Sequence, residues 1–210
     1  MYENGQPSKT LVLFDFDGTL YPKDSFTQFI FYAIKPWQII SRGLPILPWI
    51  LAYYLKVYPA HKMRGKLFHA MFHGQNYKVM KLCAERYAAK KVLQLSSELY
   101  LQLQRHQARG HQVVLVSASV DLYLLEIAKL LELELLSSQV EIQGDQLTGR
   151  YLTADCSYDQ KKQRILERYD LRDYSTIYAY GNSMEDQEML SLAQHAYMVG
   201  QSEHLPHLEN

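Results

Sequence analysis

The stretch Leu11-Val12-Leu13-Phe14-Asp15-Phe16-Asp17-Gly18-Thr19-Leu20 decides the fold. Its opening apolar residues run into two carboxylates one residue apart and then a glycine, which predicts a buried parallel strand ending in a functional loop. Asp15 and Asp17 alternate with Phe16, so in extended chain their side chains leave the same face. Two acids this close repel each other in a dry site unless a divalent cation on oxygen ligands neutralises them. The pattern therefore predicts a metal-dependent carboxylate site at the end of the strand. A solvated Asp-x-Asp-Gly turn is the alternative, and the apolar strand before it argues against that reading.

On the C-terminal side of this stretch, strand and helix alternate. Val113-Val114-Leu115-Val116 is a second apolar run, closing in Ser117-Ala118-Ser119 and followed by a helix through Tyr123, Leu124, Ile127 and Leu131. Leu135 to Ser138 predicts a third strand, with a hairpin turning at Gly144-Asp145 appended to it. A helix from Tyr158 to Tyr169 carries Lys161 and leads into the strand Thr176 to Tyr180, which stops at Gly181-Asn182-Ser183. A helix through Met184 to Leu192 and a strand from Ala196 to Val199 complete the alternation. This order predicts an α/β fold, a Rossmann-like doubly wound parallel sheet, with ligand beyond the carboxyl ends of its strands. Asp15, Ser117 and Asn182 each stand at such an end.

Between the first two strands, residues from about Asp24 to Gly110 read as helix after helix. The last of these is expected to run through Val92, Leu95, Leu99 and Leu103 and to stop at Gly110. The expected organisation is a catalytic core of residues 1–20 plus 110–210, with an inserted all-helical cap of residues 21–109.

With 210 residues, the chain can build one sizeable core and an inserted subdomain. Lys plus Arg and Asp plus Glu both total 22, so no overall charge drives it toward nucleic acid. Cys83 and Cys156 form neither a zinc-ribbon nor a disulfide pattern, which fits a reduced, cytoplasmic protein. The opening residues, Met1 to Lys9, are polar and lack the basic-then-apolar order of a signal peptide. From Phe26 to Tyr58 the charges are Lys35, Arg42 and Lys56, and Pro36, Pro45 and Pro48 interrupt the run. Its apolar pieces are shorter than the roughly 20 residues of a spanning helix. Three readings stay open for this segment: a surface docking peripherally on the inner face of a membrane, a pocket wall for a greasy substrate, or a self-contained helical core. His69 and His73 are spaced i, i+4, but lack the glutamate and third ligand of a zinc site.

The motifs resemble those of the haloacid dehalogenase-like superfamily over essentially the whole chain. The first signature stands as Asp15-Phe16-Asp17-Gly18-Thr19, the second as Ser117, the third as Lys161 and the fourth as Gly181-Asn182-Ser183-Met184-Glu185-Asp186. The helical insert, together with the Ser-Ala-Ser and Thr-Gly-Arg-Tyr stretches, is most similar to the phosphoserine phosphatase-like branch. The resemblance implies a phosphatase acting through an aspartyl phosphate, with Asp15 as nucleophile and Asp17 as proton shuttle. It places Lys161, Ser117, Ala118, Gly18 and Thr19 around the phosphoryl group. It implies Mg²⁺ held by Asp15, the Asp17 carbonyl and the first acid of the fourth signature, which here is Asn182. An amide oxygen ligates Mg²⁺ without charge, so weaker binding is expected unless Asp186 compensates. Asp24 stands where phosphoserine phosphatases carry an acid for the substrate ammonium, and is equally placed to cap a helix. The substrate is expected to be a small phosphorylated metabolite of the phosphoserine type or, given the apolar insert, a lipid phosphate. Arg42, Lys62, Arg64 and Lys66 are candidate anion contacts on the insert. The alternative, motivated by Asn182, is a catalytically silent phosphate- or partner-binding protein at a membrane interface.

Overall fold

The structure, a computed structural model, describes residues 9–208. The polar opening segment lies almost wholly outside them. Strand β1 (Lys9–Phe14) is central in a five-stranded sheet. Its companions are β2 (Gln112–Val120), β3 (Glu134–Ser138), β6 (Tyr174–Gly181) and β7 (His195–Met198), all parallel and in the order β3-β2-β1-β6-β7. A separate antiparallel hairpin, β4 (Val140–Gln143) and β5 (Gln146–Tyr151), follows β3.

The continuous apolar runs are explained by burial on both faces. Leu11 and Leu13 join Val114, Val116, Ile177 and Ala179 in one core, which is closed by Ile165 and Met189 of helices α8 (Asp159–Arg168) and α9 (Gln187–Leu190). Val12 and Phe14 join Val113, Leu115, Tyr178 and Tyr180 in the other. That second core continues into helix α7 (Asp121–Leu130) and into the segment between β1 and β2. Six helices fill this segment: α1 (Ser25–Ala33), α2 (Pro36–Gly43), α3 (Leu47–Tyr54), α4 (Ala60–Phe72), α5 (Tyr77–Lys91) and α6 (Ser97–Ala108). Phe29, Phe72 and Tyr87 form its aromatic centre, packed against Tyr123 of α7. Among the described residues, no helix is long and apolar enough to cross a membrane.

Two local expectations differ from the structure. The helix expected through Val92 is broken: a 3₁₀ turn at Val92–Gln94 is followed by extended Leu95, and α6 starts only after Ser96. Ser96 donates its backbone N–H to the Leu20 carbonyl at 2.9 Å, a tertiary partner that outweighs continued helix. The helix expected over 184–192 is a 3₁₀ turn at Met184–Asp186 followed by the single turn of α9.

Beneath β1 lies a buried polar chain. Gln102 Nε2 donates to the Tyr180 hydroxyl at 3.1 Å, which lies 2.8 Å from His106 Nε2, and His106 Nδ1 lies 2.8 Å from His111 Nδ1. Burial, with help from His111 and Arg109, lowers the His106 pKa to about 3. An unfolded histidine takes a proton near pH 6.5, whereas the folded one stays neutral, so the folded state binds fewer protons below that pH. Stability is therefore expected to hold above about pH 7 and to fall as pH drops below about 6.5, by up to about 1.4 kcal/mol per pH unit. Urea midpoints across this range check it, and a His106→Gln variant should flatten the slope. An unchanged slope in that variant would contradict the assignment.

Candidate active site

β1 delivers its first carboxylate by continuing the ladder one residue past the strand, with Asp15 N–H donating to the Tyr180 carbonyl at 2.9 Å. The chain then turns sharply. Gly18 N–H donates to Tyr21 O at 2.6 Å, and Gly18 sits at φ +80°, a backbone conformation that disfavours a side chain. A Cβ at Gly18 would also collide with the Asn182 side chain, so the glycine leaves Asn182 its place beside the loop.

The two carboxylates have different surroundings. Asp15 accepts from Lys161 Nζ at 2.6 Å through Oδ1 and from the Thr19 hydroxyl at 2.8 Å through Oδ2. Asp17 accepts from the Ser25 backbone at 2.6 Å and from the Ser119 hydroxyl at 2.5 Å. Burial pushes both carboxyls above the usual carboxylate range, Lys161 opposing it at Asp15 and the serine hydrogen bonds opposing it at Asp17. Lys161 is 1 % exposed and also donates to Asp186 Oδ1 at 2.6 Å and to the Val116 carbonyl at 2.9 Å. Burial disfavours its charge, but the two carboxylates outweigh burial and raise its pKa. Burial likewise works to raise Asp186, but Lys161 and the amides of Asn182 and Ser183 hold it below its ordinary value.

The structure brings Asp15, Asp17, Ser117, Ala118, Lys161, Asn182 and Asp186 together on the floor of one cavity of about 760 Å³. Ser117 is buried and its hydroxyl accepts from Ser119 N–H at 3.2 Å, while Gly18 and Thr19 form the turn after Asp17 and are not among the residues lining the cavity. Asp24 borders the same cavity and caps α1, accepting from Thr27 N–H at 3.1 Å. Both oxygens of Asp186 are engaged, Oδ1 by Lys161 and Oδ2 by the Asn182 and Ser183 amides at 2.9 and 3.0 Å. The side-chain oxygen of Asn182 faces the Asp17 carbonyl and Asp186 Oδ2, each at 3.2 Å. Turned over, the Asn182 amide donates to both, and this orientation satisfies all three groups. Among the described residues no three His, Cys, Asp or Glu side chains form a metal-ligating group. With Asn182 in the expected third acid's place, the donors here are the Asp15 carboxylate, the neutral Asn182 amide and the Asp17 backbone carbonyl, with Asp186 behind them, oxygen ligands that suit Mg²⁺.

The cavity walls are apolar, with Ile40, Leu44, Leu47, Ile50 and Met63 from α2 to α4 among them. Of the four basic residues expected to meet an anion, Arg64 alone borders the cavity. It is already paired, with Asp155 at 2.8 Å and Glu185 at 3.0 Å, and so ties α4 to the loops beside the site. Arg42 instead donates to the Met71 carbonyl at 2.7 Å, and Lys66 lies 4.1 Å from the centre of the Trp49 ring. His69 and His73 stack on each other, and His73 Nδ1 lies 2.8 Å from the Thr148 carbonyl.

Sequence reasoning missed Ser119 and Ser25, the two partners that hold Asp17. Ser119 was within reach, since it lies two residues beyond Ser117 on the same strand face. Ser25 had no such signal. Its hydroxyl is placed by Tyr123 at 2.7 Å and its carbonyl by Tyr87 at 2.7 Å, contacts between distant segments.

Comparison with known proteins completes the description of the site. The chain is 30% identical over 191 residues to protein CicA of Caulobacter vibrioides, covering 87% of this chain and 82% of that one. A protein of unknown function from Bordetella pertussis Tohama I has a similar fold, with a TM-score of 0.74 at 21% identity over 93% of this chain and 92% of that one. A phosphoserine phosphatase structure described as a phospho-aspartyl intermediate analogue superposes with a TM-score of 0.60 at 16% identity, over 90% of this chain and 85% of that one. The family model for haloacid dehalogenase-like hydrolases matches residues 12–191, from β1 to the end of α9, and the chain belongs to that family.

Proposed function

We propose that the protein is a Mg²⁺-dependent phosphomonoester hydrolase working through an aspartyl phosphate on Asp15. In this reading residues 21–109 act as a helical cap over a core of residues 1–20 and 110–210. The observation that carries it is the pair of carboxylates: Asp15 gripped by a buried lysine, and Asp17 raised by burial and aimed at the same space.

The Asp15 oxygen attacks phosphorus in line as the ester P–O bond breaks, and Asp17 gives its proton to the departing alkoxide. Asp17 then takes a proton from a water that attacks the same phosphorus, releasing inorganic phosphate and restoring the Asp15 carboxylate. Lys161, the Ser117 hydroxyl and the Ala118 backbone stabilise the equatorial phosphoryl oxygens, while the Gly18 and Thr19 amides, bonded to the Tyr21 and Phe16 carbonyls, shape the turn that presents Asp17. Asp15, the Asp17 carbonyl and Asn182 would hold Mg²⁺, with Asp186 behind them. When bound, the ion offsets the negative charge shared by phosphate and Asp15. Because Asn182 contributes no charge, Asn182→Asp is expected to tighten Mg²⁺ binding about tenfold. Isothermal titration with Mg²⁺ measures this, and an unchanged or weaker affinity would remove Asn182 from the ligand set.

The apolar cavity wall favours a lipid phosphate over a metabolite of the phosphoserine type. An ammonium at Asp24 would meet a carboxylate that is already engaged in capping α1. The two free cysteines fit a reduced compartment, and we place the protein in the cytoplasm at the inner face of the membrane. A panel pairing phosphoserine with a long-chain phosphate monoester in micelles, with and without Mg²⁺, tests the reading. Faster Mg²⁺-dependent release from the long-chain ester is expected. Preference for phosphoserine would refute the lipid assignment, and no release from any ester would favour the catalytically silent alternative that Asn182 motivates.

A further inference from the structure

Charge is distributed unevenly along the helices above the cavity. Residues 25–84 contain eight Lys and Arg and no Asp or Glu, in a chain whose total charges cancel. Three of these cations have partners already described: Arg64 its two carboxylates, Arg42 a carbonyl and Lys66 a tryptophan ring. Lys35, Lys56 and Lys62 stand exposed, with Lys35 just before α2 and Lys56 just after α3.

Between Lys35 and Lys56, neither α2, α3 nor the 3₁₀ turn at Leu44–Ile46 buries any residue. Trp37, Ile40, Leu44 and Leu51 there, with Leu55 and Val57 just after, are 55–75 % exposed. Single apolar residues on a surface need no explanation, but a contiguous run of large ones marks an interaction face. The composition of the run also bears on what covers it. Trp37, Trp49, Tyr53, Tyr54 and Tyr58 belong to the residue types that settle at the headgroup level of a bilayer. Apolar helices flanked by lysines, with no acid in the run, suit an anionic lipid surface.

We propose that α2, α3 and the turn between them dock in the plane of an anionic lipid bilayer, with Lys35 and Lys56 at the headgroups and Trp37, Leu51, Leu55 and Val57 in the acyl boundary. Ile40, Leu44, Leu47 and Tyr54 are exposed and also line the cavity, so the docking face is continuous with the wall leading to Asp15. The docking itself stands on exposure and charge alone. Its consequence for substrate, that an ester anchored by its tail enters the cavity from the bilayer, rests on the phosphatase reading.

Cosedimentation of the whole chain with phosphatidylcholine vesicles, and with the same vesicles containing phosphatidylglycerol, tests the docking. Binding to the anionic vesicles is expected to be at least about tenfold stronger, and to be lost at about 1 M salt. The double variant Lys35→Glu/Lys56→Glu should bind them about 100-fold more weakly. Trp37→Ser/Leu55→Ser should weaken binding by about tenfold or more. None of these four residues lines the cavity, so turnover of the soluble ester p-nitrophenyl phosphate should be unchanged in both variants, and an unchanged urea midpoint reports that they fold. Equal binding to neutral vesicles, no binding to anionic ones, or undiminished binding by the charge-reversed variant would overturn the proposal. So would stable self-association of the lipid-free chain that the Trp37 variant abolishes, which would give the face to a second copy instead. Vesicle binding needs no turnover, so failure here and failure of the phosphatase reading are read separately.

Discussion

Replacing Asp15 with Asn is expected to lower phosphate release from p-nitrophenyl phosphate by at least about 10⁴-fold while leaving the fold intact. An amide nitrogen or oxygen is a far weaker nucleophile than a carboxylate, so the first of the two transfers has no acceptor. The surroundings tolerate the change. The new amide oxygen can still accept from Lys161, and the amide nitrogen can donate to the Thr19 hydroxyl, in place of the present bonds at 2.6 and 2.8 Å. Lys161 keeps Asp186 at 2.6 Å as its counter-charge, so no buried cation is stranded. The urea midpoint should therefore move little. Retained turnover with an intact fold would remove Asp15 from the nucleophile's role.

Lys161→Met is expected to cost both stability and activity. The lysine is 1 % exposed and lies between Asp15 and Asp186, with both carboxylates at 2.6 Å. Removing it leaves two buried acids facing each other with no cation, and breaking a buried pair in this way costs about 3–5 kcal/mol. The remaining acids relieve the repulsion by binding a proton, so their folded pKa values rise above the unfolded ones. Folded protein then binds more protons than unfolded, and the variant should lose stability as pH rises from about 5 to 8. Adding Asp15→Asn should return part of the loss, since it removes one of the two stranded charges. Urea denaturation of the single and double variants between pH 5 and 8 measures the stability changes, and p-nitrophenyl phosphate turnover measures the loss of activity. A loss below about 1 kcal/mol for Lys161→Met, or no rescue by Asp15→Asn, would mean that the buried triad is not what holds this end of the sheet.

Much of the sheet was legible because burial on both faces leaves a plain mark. Leu11 and Leu13 face one core, Val12 and Phe14 the other, and a strand with no solvent face reads as continuous apolar chain. The site residues could be listed for a related reason: Asp15, Ser117 and Asn182 end strands, and strand ends are visible as apolar runs stopping at polar residues. What stayed hidden depends on contacts between distant segments. The break at Leu95 answers the need of the Leu20 carbonyl for a donor, and its one local mark is Ser96, whose side chain caps α6. Arg64 reads as one more basic residue on a helix until α4 is laid against Asp155 and Glu185. Asp186 read as a reserve metal ligand, one turn beyond Asn182. Its position beside Lys161, with both oxygens engaged, required the fold.

An aspartyl phosphate on Asp15 can be trapped by quenching the enzyme with acid during turnover of p-nitrophenyl phosphate and treating it with borohydride. Borohydride reduces an acyl phosphate to the alcohol, so an aspartyl phosphate is read in the digested protein as homoserine. Homoserine is expected at Asp15 in the wild type, dependent on substrate and absent from Asp15→Asn. Phosphate release with no trapped residue, or trapping at another aspartate, would contradict this.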